Sequence, residues 1–255
     1  MRVATFNILH GRALSDGRVD VERFAAAIRT LDADVLALQE VDRDQPRSLG
    51  ADLTSVAADA MGVTEHRFVA ALSGTPGVTR QAATGDEQPG TAAYGIALLS
   101  RYPVRGWQVL RLPPLRVPVP LWHDRLRPDV VHDEARVAVM ATVSTPLGDV
   151  LVAATHLSFL HGWNVVQLRR VVRAASAYAG PVIVMGDLNM QPALARRVTG
   201  MQPLATQPTF PAGTPDRQID HILARGICSG SGGAVELPLS DHRALYVDLA
   251  EAARS

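Results

Sequence analysis

The chain has 255 residues, 47% of them hydrophobic and 20% charged, which is enough for one large domain with a substantial core. Its 25 basic residues, all arginine, are balanced by 25 acidic ones. That balance excludes a global field that would draw the protein onto nucleic acid or anionic lipid, and leaves only local patches. A single cysteine, Cys228, excludes an intramolecular disulfide framework, and no segment reaches the roughly 18 uninterrupted apolar residues of a membrane span. The opening MRVATFNIL runs straight into a strand with no leader pattern, so a cytoplasmic location is expected.

In chain order, residues 2–8 read as a buried strand ending near Asn7, followed by the polar loop HGRALSDGR. Val21, Phe24, Ala25, Ile28 and Leu31 form a helical stripe behind Asp20, a plausible N-cap. The short apolar run DVLALQ predicts a buried strand that stops at Glu40. A helix is expected at 52–61 and strands at 67–71 and 94–100, with a mobile surface loop from Ser73 to Thr91 between the two strands. Further strands are expected at 106–112, 135–143, 149–156, 182–186, 219–224 and 243–249, and an amphipathic helix at 164–178. Many strands with few helices favour a mixed-sheet α/β domain over residues 1–250, with 251–255 as a tail. The proline- and arginine-rich stretch Pro113–Pro128 cannot be a central strand and reads as a semi-rigid flap.

Residues suited to metal or phosphate sit at several predicted strands: Asn7, Glu40 and His156 close theirs, Asp187 with Asn189 follows the run PVIVM, Asp220 lies within QIDHIL, and the Asp241-His242 pair opens the last strand. If the Asp187-Leu188-Asn189 segment is extended, the side chains of Asp187 and Asn189 share one side. Hard oxygen donors with no second cysteine favour Mg²⁺ or Mn²⁺ over structural zinc. A phosphodiester is an anion attacked by a weak nucleophile, so its catalyst must neutralise charge and place water in line. Both histidines are expected to lean toward the protonated form beside such a substrate, His242 with the help of Asp220.

The segments TFNIL, LALQEVD, YGIALLSRYP, ATHL, VMGDLN, QIDHIL and LSDH, in this order, resemble the motifs of the endonuclease/exonuclease/phosphatase superfamily. That superfamily includes deoxyribonuclease I, apurinic endonucleases, neutral sphingomyelinases and inositol polyphosphate 5-phosphatases. The resemblance runs from Met1 to about Asp248 and implies a four-layer α/β/β/α sandwich of two packed mixed sheets flanked by helices. It also implies that Glu40 ligates the metal with Asn7 and Asp241 beside it, and that Asp187 orients or deprotonates the attacking water. By the same resemblance Asn189 and His242 contact phosphate, Asp220 orients His242, and His156 is a second histidine paired with a carboxylate, for which Glu134 is the candidate.

The sequence also departs from that pattern. Relatives often carry Asn or His where this chain has Ile96, and the tryptophan-rich stretch that apurinic endonucleases carry before SDH is absent. The expected activity is metal-dependent phosphoester hydrolysis, phosphodiesters favoured, by a monomer. A DNA or RNA nuclease, a lipid phosphodiesterase acting at a membrane, and a non-catalytic binding protein on the same fold are the alternatives. Tyr94, Arg116, Trp122, Arg125, Arg127 and Trp163 are the candidates for contacts beyond the scissile phosphate.

Overall fold

The computed structural model describes residues 1–76, 78–87, 90–121, 129–227 and 230–250. In chain order the first half contains β1 (Arg2–Asn7), α1 (Val21–Leu31), β2 (Val35–Arg43), α2 (Leu53–Met61), β3 (Glu65–Ser73), β4 (Gln81–Ala82), β5 (Ala93–Ser100), β6 (Val104–Leu112) and β7 (Val119–Leu121). The second half contains β8 (Asp129–Val131), β9 (Arg136–Thr145), β10 (Gly148–His156), α3 (Trp163–Ala175), β11 (Val182–Asp187), α4 (Pro192–Thr199), β12 (Gln202–Pro203), β13 (Asp220–Arg225), β14 (Ser231–Val235) and β15 (Ala244–Asp248).

These strands form two mixed sheets, ordered β14-β15-β1-β2-β5-β3-β4 and β12-β13-β11-β10-β9-β6. The faces turned toward each other are lined by alternate residues of both sheets, among them Val35, Ala37, Ile96 and Leu98 against Val139, Ala141, Val152, Ile183 and Ile222. The outer face of the first sheet is covered by α1 and α2 through Phe24, Ile28, Leu31 and Ala57. Leu168, Val171 and Ala175 of α3 and Ala195 of α4 cover the second. Because both faces of each sheet are buried, central strands carry continuous apolar runs rather than alternation, as in VIVM of β11 before Gly186 and Asp187. The result is the four-layer α/β/β/α sandwich.

Local signals placed most elements. Asp20 caps α1 by accepting from the Arg23 amide, and Asp52 caps α2 by accepting from the amides of Thr54 and Ser55. α4 is a helix the periodicity did not predict, although Pro192 in its first turn and Gly200 at its C-cap mark both ends. β14 is built from SGGAV, a segment of low strand propensity that exists because β15 offers it a ladder. The predicted loop 73–91 contains the two-residue β4, paired with Leu72 and Ser73. The flap contributes β7, which pairs with β8 as a separate two-stranded ribbon. Trp122, Arg125 and Arg127 lie outside the described residues, as does Cys228. Among the described residues no helix is long and apolar enough to cross a membrane.

Candidate active site

The site forms where the C-terminal ends of β1 and β2 in one sheet meet those of β10 and β11 in the other. Strand register supplies the neighbours: His156 lies beside Asp187 in the parallel β10–β11 pair, and Asp220 lies opposite Asp187 in the antiparallel β11–β13 pair. β10 and β11 come this close only because residue 186 is glycine. Gly186 has φ +140°, and a Cβ there would collide with the Thr155 carbonyl.

Asp187 is the hub. Its Oδ2 accepts from Asn7 Nδ2 at 3.1 Å and faces His156 Nε2 at 3.5 Å and His242 Nε2 at 3.9 Å. The same Asn7 amide nitrogen is 3.1 Å from Glu40 Oε1, so one side chain ties the acid of the first sheet to the acid of the second. Glu40 interrupts the β2–β5 ladder between Gln39 and Val41, at φ +58°. A bulge with a bulky residue in left-handed geometry is strained, and it turns a side chain that would follow the strand alternation toward the cleft.

His242 is held from two sides. Its Nδ1 is 2.9 Å from Asp220 Oδ2, which also accepts from the Thr209 hydroxyl at 2.6 Å. Its backbone amide donates to Ser240 Oγ at 3.1 Å, and that hydroxyl donates to the Asn7 carbonyl at 2.6 Å. Ser240, itself at φ +72°, therefore fastens the SDH segment to the end of β1. Phe210 sets its ring edge-on to His242 at 5.0 Å between centroids. Thr209 and Phe210 carried no sequence signal, because they reach Asp220 and His242 through a loop whose course no periodicity encodes.

Burial and charge divide the ionisable groups. Burial, reinforced by the Asp220 charge, raises Asp187 to about 7, and burial also raises Glu40. Burial alone would lower His242, but Asp220, Asp187 and Asp241 together lift it to about 10. His156 goes the other way: burial and then the Arg136 and His242 charges hold it well below the ordinary histidine value. The expectation of two protonated histidines thus fits His242 and not His156.

The expected partner of His156 is also different. Glu134 does not reach it: its carboxylate binds Arg80, with the guanidinium at 2.9 Å. The group on His156 Nδ1 is Arg136 Nη1, at 3.2 Å. Asn189 lies beyond the end of β11 at φ +50°, so the extended geometry assumed for Asp187-Leu188-Asn189 is replaced by a turn. Its amide nitrogen donates to the Leu157 carbonyl, and its backbone N–H donates to Asp187 Oδ1, both at 3.0 Å. Asn164 of α3 fixes the turn by donating to the Asn189 carbonyl at 2.8 Å.

Other candidates stand further out. Asp241 is part-exposed, its Oδ1 4.0 Å from His242 Nε2. Tyr94 is buried, with the guanidinium carbons of Arg47 and Arg80 at 5.4 and 5.2 Å from its ring centroid. Ile96 is 2% exposed and belongs to the core between the sheets. Trp163 and Arg116 line a surface groove with Pro113 and Arg170, and the Trp163 indole N–H donates to the Pro113 carbonyl at 3.3 Å.

Glu40, Asp187, Asp220 and Asp241 gather around Asn7 and His242, and the burial of Glu40 and Asp187 makes their negative charge costly without a cation. Asp187, Asp220 and His242 have ligand atoms within 4.8 Å of one another and could hold a metal ion. Asp220 Oδ2, however, is already committed to Thr209 and His242. The Glu40 carboxylate, which accepts from the Asn7 side-chain amide, is the better fit for a hard divalent ion.

Two mixed sheets sharing an edge rich in carboxylates, amides and imidazoles define a class of phosphoester hydrolases. Residues 4–242 match the model of the Endonuclease/Exonuclease/phosphatase family, and the chain belongs to that family. Its members are hydrolases acting on phosphoester bonds and generally use divalent metals. No curated protein sequence matches the chain. A solved endonuclease/exonuclease/phosphatase from Beutenbergia cavernae is 26% identical, with a TM-score of 0.68 over 99% of this chain and 72% of that one. A mannosyl-6-phosphatase from Bacteroides thetaiotaomicron shares the fold at 15% identity and TM-score 0.62, over 98% of this chain and 99% of that one. A truncated Caenorhabditis elegans TDP2 does so at 17% identity and TM-score 0.55, over 96% of each chain.

Proposed function

We propose that the protein is a divalent-metal-dependent phosphodiesterase that uses in-line attack of water. The observation that carries this reading is the convergence on Asp187 Oδ2 of Asn7 Nδ2 from one sheet and His156 Nε2 and His242 Nε2 around it. A carboxylate encircled by donors is placed to hold a water, while those donors take up charge on the phosphoryl oxygens.

In this reading Glu40, with Asn7 and Asp241 beside it, holds Mg²⁺ or Mn²⁺, which when bound supplies Lewis-acid polarisation of a phosphoryl oxygen. Asp187 orients the nucleophilic water and accepts its proton. His242, kept cationic by Asp220, donates from Nε2 to a developing oxyanion. Asn189 shapes the turn that aims Asp187. A phosphodiester is favoured over a monoester because Arg47 and Arg80, the guanidiniums on Tyr94, are already paired with Asp42 and Glu134. Their charge is balanced, which suits a monoanionic diester better than a dianionic monoester.

The test is hydrolysis of bis-p-nitrophenyl phosphate and p-nitrophenyl phosphate with Mg²⁺, with Mn²⁺ and with chelator, followed by DNA, RNA and phospholipid substrates. Metal-dependent turnover of the diester above the monoester supports the reading. Turnover of the monoester alone, or of neither with either metal, overturns it.

A further inference from the structure

We propose that Arg136 is a positioning residue that fixes His156 as a neutral imidazole with its proton on Nε2, aimed at the reacting phosphoryl group. The assignment rests on the phosphodiesterase reading for its purpose, but its physical content stands on geometry. Arg136 opens β9, is 6% exposed, and places Nη1 3.2 Å from His156 Nδ1. A guanidinium has donors and no acceptor, and it keeps its proton at any pH a protein survives. Nδ1 must then be the acceptor, and the ring proton sits on Nε2, the atom that faces Asp187 Oδ2 at 3.5 Å.

The surroundings hold this pairing. Thr155 Oγ1 donates to the Val137 carbonyl at 2.9 Å, clamping β10 to β9 one residue from each partner. Glu134 stands behind Arg136 at 3.8 Å from Nη2, with Arg80 on its other side. The charged and titratable groups that act on His156 are thus Arg136, Asp187 and His242. A small cavity beside the pair is lined by Tyr94, Ile96 and Val137, so hydrocarbon stands at residue 96 and the arginine comes from the other sheet. Arg136 Nε has no hydrogen-bond partner within the protein. A buried guanidinium with an unmet donor is costly to keep for packing alone. The consequence is a division of labour: His242 brings positive charge, and His156 brings a directed N–H whose state does not depend on sharing a proton with it.

The experiment is long-range ¹H–¹⁵N correlation of the histidine rings in the full-length, metal-free protein at neutral pH, with His156→Asn used for assignment. The expected wild-type pattern for His156 is a protonated Nε2 and a bare Nδ1. Arg136→Met should release the tautomer and lower kcat by about 10- to 100-fold with little change in KM. Arg136→Lys, which keeps a donor at that place, should restore the tautomer and much of the rate. A wild-type His156 that is protonated on Nδ1, or on both nitrogens, overturns the proposal. So does a folded Arg136→Met protein that keeps the Nε2–H pattern and full kcat. The spectrum is read without substrate, so it decides the assignment even if the proposed reaction is wrong, and the wild-type spectrum decides it even if the methionine variant does not fold.

Discussion

Asp220 lies directly across the β11–β13 pair from Asp187, yet the two carboxylates do different work: Asp220 Oδ2 is 2.9 Å from His242 Nδ1, while Asp187 Oδ2 faces the Nε2 of both histidines. Two acids on adjacent strands would repel if both were bare. The imidazolium of His242 separates their roles, one acid holding the ring and the other facing the cleft.

That arrangement predicts the effect of Asp220→Asn. The amide keeps the shape but no longer stabilises the cation on His242, so the ring should titrate well below its present value of about 10. Turnover of a chromogenic diester should fall on the order of 10²-fold, with metal affinity nearly unchanged. An NMR titration of His242 and a kcat measurement check this, and a variant that retains the high-pKa histidine would contradict it.

Gly186→Ala should be among the most damaging small substitutions. The added methyl meets the Thr155 carbonyl, and alanine disfavours φ +140°. Strain of this kind costs on the order of 1–3 kcal/mol or more, and relief would require β10 and β11 to part beside His156 and Asp187. Urea unfolding should show the loss of stability, and kcat should fall with it. An unchanged midpoint would mean that the strands can separate freely.

Much of this was legible in the sequence, for identifiable reasons. Strands such as β11 were visible because burial on both faces makes Val182–Met185 a continuous apolar run, and α1 because its cap and its stripe coincide. Asn7, Glu40 and Asp187 stood out as polar residues ending or following apolar runs, and His242 as half of the Asp-His pair that opens the last strand. What stayed hidden depends on contacts between residues far apart in the chain. Nothing in EARVAV says that Arg136 rather than Glu134 meets His156, since the choice turns on β9–β10 register and on the pull of Arg80. Thr209 and Ser240 act from loops. The turn at Asn189 overrode the extended reading because its backbone N–H is captured by Asp187 itself.

Two histidines outside the active site, His221 and His10, should withdraw stability in mild acid. Burial lowers His221, whose Nε2 is 2.9 Å from the Met190 carbonyl. Burial, with the Arg47 charge, also lowers His10 to about 4. Both are neutral when folded and gain a proton more readily when unfolded, near pH 6.5. Their contribution is therefore complete above about pH 6.5 and is lost as the pH falls toward 4, the unfolded chain binding more protons throughout that window. Asp187 and Glu40, raised by burial, act in the opposite direction and do so in both the wild type and His221→Gln. The informative quantity is therefore the difference: between pH 8 and pH 4.5 the melting temperature of the metal-free wild type should fall further than that of His221→Gln. Equal changes in the two proteins would contradict a neutral His221 in the folded state.

If a divalent cation completes the site through Glu40, calorimetric titration of Mg²⁺ and Mn²⁺ into the wild type and Glu40→Gln, paired with melting curves, will show it. In the metal-free state the variant should melt at or above the wild-type temperature, because burial raises the Glu40 carboxylate and glutamine removes the cost of an ionised group there. Added metal should then raise the wild-type melting temperature, as binding to the native state alone requires, and leave the variant nearly unmoved. Diester turnover should fall by ~10²-fold or more. A folded Glu40→Gln protein that binds metal and hydrolyses diesters like the wild type would contradict the account.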